Sequence, residues 1–80
     1  MFTKEHAKDN RQVRRIAGAE LSTWTDEELA DDLKVLVGEL WLLLGIEGMP
    51  YKRVSKQWYA AVENERFIRA AVKEVEEQYA

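Results

Sequence analysis

Residues 24–45 read WTDEELADDLKVLVGELWLLLG, and this stretch decides the fold class. Thr25-Asp26-Glu27-Glu28 has the form of a capping box, in which Thr25 and Glu28 each satisfy the other's main-chain amide. Trp24 before the cap and Leu29 after it have the spacing of a hydrophobic staple. Asp26, Glu27 and Glu28 would sit at the positive end of the helix dipole. Several local signals therefore agree on one helix start. From there Leu29, Leu33, Leu36, Leu40 and Leu43 recur at spacings of 4, 3, 4 and 3, the signature of an apolar helical seam. Ala30, Val37, Trp41 and Leu44 widen the seam, and Val35 and Leu42 add apolar surface outside it. The spacing predicts one helix over about 26–44, apolar nearly all round by its last turns and so buried on more than one side. Gly45 is expected to close it in the left-handed conformation.

Downstream, Ile46-Glu47-Gly48-Met49-Pro50 reads as a short turn, with Pro50 opening the next helix. No glycine or proline interrupts residues 51–79. Val54, Trp58, Ala61, Glu65, Ile68, Val72, Val75 and Tyr79 continue the 4 and 3 spacing, flanked by Tyr51, Tyr59, Val62, Phe67 and Ala71. The pattern predicts a single helix over about 50–79; the alternative is a break at Glu63-Asn64-Glu65 with Asn64 as a new cap. A short connection makes the two helices antiparallel neighbours, a helical hairpin. The second would be about 40 Å long and the first nearer 30 Å at 1.5 Å per residue, so the last turns of the longer helix need cover from elsewhere, either from the N-terminal segment folding over them or from another chain.

Upstream, residues 3–18 are weakly amphipathic through Val13, Ile16 and Ala17, with Phe2 and His6 extending the face. They form either a shorter helix ending near Ala17-Gly18-Ala19 or a flexible basic arm over 1–20. The whole is expected to be one all-α domain of 80 residues, completed as a bundle by a partner or a second copy.

Composition narrows function mostly by exclusion. There are no cysteines and one histidine. This removes disulfides and thiolate chemistry and argues against a histidine-based metal site. The apolar run Leu40–Leu44 is too short to span a bilayer, and the N-terminal residues lack the apolar core of a signal peptide, so a cytoplasmic location (a host's cytoplasm, for a viral protein) is expected. The net charge of −3 is unevenly spread. Residues 1–20 hold Lys4, Lys8, Arg11, Arg14 and Arg15 against Glu5, Asp9 and Glu20; residues 21–50 hold seven acids against Lys34.

No constellation reads as catalytic, and no cofactor is implied. Glu27, Glu28, Asp31 and Asp32 are carboxylates at helical spacing, more readily a solvated face at a helix start than a cation site. His6 beside Asp9 and Asn10 has no further ligands. Ser22, Thr23, Thr25 and Ser55 lie in no nucleophile motif. Gly45-Ile46-Glu47-Gly48 lacks the lysine of a phosphate loop.

Two basic clusters remain as binding candidates: Arg11, Arg14 and Arg15 on the N-terminal helix, and Lys52, Arg53 and Lys56 interleaved with aromatics in 51–59. Either could meet a protein partner or nucleic-acid phosphates. Glu65 is the one polar residue in its seam, a candidate for setting register or partner number, paired with an arginine such as Arg11, Arg14 or Arg15. Trp24, Trp41 and Trp58 are either core or anchors for a partner, with core the expected role for at least two. The function expected is a non-enzymatic protein–protein interaction module: a small adaptor, inhibitor or assembly factor of the size that phages and mobile elements encode. It would act by helix-face burial and charge matching. The alternative is a small helical nucleic-acid-binding regulator.

Overall fold

The computed structural model describes residues 10–45 and 48–79. All regular structure among them is helical: α1 is Asn10–Leu21, α2 Asp26–Leu29, α3 Leu33–Leu44 and α4 Tyr51–Tyr79. The expectations for Phe2, His6, Ile46 and Glu47 lie outside the described residues.

The start at Thr25 forms as its sequence predicts. The Thr25 amide donates to the Glu28 carboxylate at 2.8 Å, and the Glu28 amide donates to the Thr25 hydroxyl at 3.1 Å. Hydrogen bonding of the Glu28 carboxylate to the Thr25 amide, and secondarily to the Thr25 side chain, holds it below its ordinary pKa. Trp24 and Leu29 are both buried in the core.

The single helix expected over 26–44 does not form. It is divided after Leu29, and Asp32 caps a new helix, accepting from the Lys34 amide at 2.8 Å. Asp31 adds to the break by accepting from the Asp32 amide at 2.7 Å. Two adjacent aspartates compete for main-chain amides and favour cap over helix interior. Because Leu29, Leu33 and Leu36 keep helical spacing across the interruption, the apolar pattern alone conceals it. Gly45 also departs from expectation. Its φ is −31°, not left-handed, and a side chain there would sit 3.0 Å from the Trp41 carbonyl. The left-handed glycine of this connection is Gly48, at φ 79°.

α1 runs past Gly18 to Leu21, three residues beyond the expected end. Its terminal carbonyls are occupied: the Ser22 and Thr23 hydroxyls donate to Ala19 and Glu20, each at 2.7 Å.

α4 is unbroken over 29 residues, with no new start at Asn64. At 1.5 Å per residue it is about 43 Å long, which accounts for the 47 Å long axis of the molecule. α1 and α3 both pack against it. The end of α1 meets Arg69. The residues just before α3 meet Arg66, while Trp41, late in α3, meets Tyr51 and Trp58 with ring centroids at 5.3 and 6.0 Å. α3 thus descends α4 against its chain direction. The core gathers around the fully buried Trp58: Val13, Ala17 and Leu21 from α1, Leu36, Val37 and Leu40 from α3, and Val54, Ala61 and Val62 from α4. Trp24 and Trp58 belong to it, and Trp41 packs against it.

Candidate functional site

The seam of α4 changes character at Glu65. Before it, Val54, Trp58 and Ala61 are buried; after it, Ile68, Val72, Val75 and Tyr79 are exposed, from 45% for Ile68 to 86% for Tyr79. Phe67, on the flank, is also largely exposed. The same apolar periodicity that builds the core therefore continues for about three more turns with its side chains left exposed among the described residues.

The boundary is built by two arginines of α4. Arg69 donates through Nε to Glu65 at 2.9 Å and through Nη1 to Asp26 at 2.7 Å. Its Nη2 donates to the carbonyls of Leu21, at 3.1 Å, and Trp24, at 2.6 Å. Glu65, and secondarily Asp26, raise its already high pKa, so the guanidinium is permanently charged. Arg66 donates to the carbonyls of Leu29 at 2.8 Å and Asp31 at 2.6 Å, capping the groups released where the expected helix breaks. The planar guanidinium suits this work, since it offers five donors in a fixed fork. These two side chains fasten the α1–α2–α3 connections to α4 and fix where the core stops.

Glu65 is thus held by Arg69 on its own helix, one turn on, rather than by the arginines considered from sequence. Its side chain is 14% exposed, and the pairing offsets the desolvation a seam carboxylate would otherwise suffer. Arg11, Arg14 and Arg15 are exposed and border a groove shared with Gly18, Asn64 and Glu65. Lys52, Arg53 and Lys56 are exposed on the first turns of α4, apart from that groove.

A second apolar surface lies on α3, where Val35, Leu42 and Leu43 are exposed. Leu43 was expected in the seam and Leu42 under cover. Leu36 and Leu40 of that seam, with Val37 beside it, do face the core; the departure is confined to the last turn.

No three histidine, cysteine or acidic side chains among the described residues are placed to hold a metal ion. Glu27, Glu28, Asp31 and Asp32 are all exposed. None of the helices described is long and apolar enough to cross a membrane. Arg66 and Arg69 were missed by sequence reasoning. Their local signals are the i,i+4 spacing of Glu65 and Arg69 and the place of both arginines just after the seam turns polar. Comparison of the chain with protein-family models, with curated proteins and with solved structures finds no match.

Proposed function

We propose that the chain is a non-enzymatic protein–protein interaction module, an adaptor, inhibitor or assembly factor of the cytoplasm, and that it binds through the apolar face of α4 beyond Glu65. The observation that carries this reading is the continuation of the core seam through Ile68, Val72, Val75 and Tyr79 with those side chains exposed. A contiguous apolar face on a small domain is more often an interaction surface than a neutral one. An amphipathic helix that lays such a face against a partner is a recurrent recognition mode. Here the face is presented at a fixed distance from the core, because Arg66 and Arg69 lock the boundary. The expected hairpin and its bundle belong to this reading: a partner's helices would complete the layer that α1 and α3 begin.

The test is the size of the chain in a lysate of its native host. The reading predicts migration well above the 9.3 kDa of one chain, and return to that size when Val72→Asp and Val75→Asp are combined. Migration as a single chain, or a larger size that the double variant leaves unchanged, would contradict it.

A nucleic-acid-binding regulator is the second reading. It is favoured by the exposure of Arg11, Arg14 and Arg15 along one groove, with Lys52, Arg53 and Lys56 as a further basic cluster. Against it stands Glu65 in the same groove. Oligonucleotide binding by fluorescence anisotropy that weakens steeply with salt, and disappears when the three arginines are replaced by alanine, would establish this reading. Absence of binding at low salt removes it.

A further inference from the structure

We infer that the partner of the α4 face is the same face of a second copy, paired antiparallel about a two-fold axis that passes between Lys73 and Glu74. This rests on the interaction-module reading and names its partner.

Charge along the helix is the first support. Residues 66–73 contain Arg66, Arg69 and Lys73 and no acid, whereas residues 74–79 contain Glu74, Glu76 and Glu77 and no base. The sign reverses once, between 73 and 74. Antiparallel pairing about that point sets Lys73 of each copy level with Glu74 of the other and brings Arg69, which keeps its ion pairs with Glu65 and Asp26, alongside the acidic last turns. Parallel pairing would lay like on like.

The seam gives the second support independently. Antiparallel helices pack the two kinds of seam position opposite one another, so that a residue entering the seam by a step of 4 faces one entering by a step of 3. With the axis between 73 and 74, Val72 of one copy lies beside Val75 of the other, and Ile68 beside Tyr79. Both pairings have their midpoint where the charge reverses. A register chosen to match charge is therefore also the register that closes the apolar seam.

The third support is continuity with the core. The exposed residues continue the α4 face that α1 and α3 cover lower down. In the inferred pairing the body of the second copy lies beyond the end of the first copy's α4, so the two bodies do not collide. Tyr79 of the second copy arrives at Ile68, in a notch bordered by Asp26, Arg69 and Val72. The two-fold pair would cover on the order of 1,000 Å² in total, at the lower end of specific interfaces.

The absence of native cysteine makes the test direct. Ile68→Cys and Tyr79→Cys are prepared separately in the full chain, each carrying a distinguishable mass tag, and are oxidised alone and mixed. In the inferred register positions 79 of the two copies are about 16 Å apart along the axis, at 1.5 Å per residue. Tyr79→Cys alone should give little cross-link, and the mixture should give the 68–79 disulfide as its main product. Sedimentation of the unmodified purified chain should show a dimer that is lost with Val72→Asp and Val75→Asp combined. Efficient cross-linking of Tyr79→Cys to itself would overturn the antiparallel register. A purified chain that remains monomeric at high concentration would overturn the second copy as partner. If the lysate complex nonetheless forms and is abolished by the double aspartate variant, the interaction-module reading survives with a different partner; if both are monomeric, both fail.

Discussion

Leu40 and Leu42 are two residues apart on α3 and should respond very differently to the same truncation. Leu40 is fully buried among core residues, whereas Leu42 is 84% exposed. Leu40→Ala removes apolar surface from the centre of the domain and leaves a space that the neighbouring helices fill only in part. Such truncations cost about 2–5 kcal/mol. A domain of this length is stable by roughly 4–12 kcal/mol, so the variant gives up a large share of the total. Its melting temperature should fall by roughly 12–30 °C. Leu42→Ala loses little burial within the chain, and alanine is slightly the better helix former. Its effect should stay within about 0.5 kcal/mol. Urea unfolding followed by circular dichroism at 222 nm, at one dilute protein concentration for all variants, separates burial within the chain from effects of association. Equal losses at the two positions would refute the assignment of the α3 faces, and a loss under half a kcal/mol at Leu40 would remove α3 from the core.

Thr25→Ala should destabilise by about 1 kcal/mol through loss of the cap, read from the same urea curves. Folding lowers the Glu28 pKa from its ordinary 4.5, so the stabilisation linked to that carboxylate is complete above that value and disappears as the pH falls through the lowered one. The acid dependence of melting between pH 5 and about 2 should accordingly be shallower in Glu28→Gln, which cannot titrate, than in the unaltered chain; identical slopes would show that the Glu28 carboxylate is not the source. Arg69→Ala should lower the melting temperature, and Arg69→Lys should fail to restore it, because an ammonium cannot reach Glu65, Asp26 and two main-chain carbonyls together. Full recovery with lysine would reduce Arg69 to a simple charge.

The features legible in the sequence were those set by neighbouring residues. The capping box at Thr25 and Glu28 needs four consecutive positions and no tertiary help, and it forms as read. The unbroken α4 follows from a run without glycine or proline and a register that survives Glu65. Length also carried information, since a helix over 51–79 outreaches its neighbours, and its last turns are the ones left exposed. The division at Asp31-Asp32 was concealed because the leucine spacing is the same on both sides of it. It could be found only by weighing two adjacent cap-forming residues against the apolar pattern. Apart from the local pair of Arg69 with Glu65, the roles of Arg66 and Arg69 were beyond local reading, since their other acceptors lie 35 to 48 residues away in the chain. Glu65 was recognised as unusual, but its partner proved to be the arginine one turn along the same helix. Gly45 was assigned a conformation that belongs to Gly48, because either glycine can end a connection of this length.

Hydrogen exchange along α4, measured at increasing protein concentration, tests most directly whether its upper face is bare within one chain and covered by association. Amides of residues 54–62 should be protected at every concentration, because Trp58 and its neighbours are buried in the monomer. Amides of residues 70–79 should exchange rapidly in dilute solution and slow by an order of magnitude or more as copies pair. Equal protection of the two stretches in dilute solution, or rapid exchange of the upper stretch at every concentration, would contradict the account.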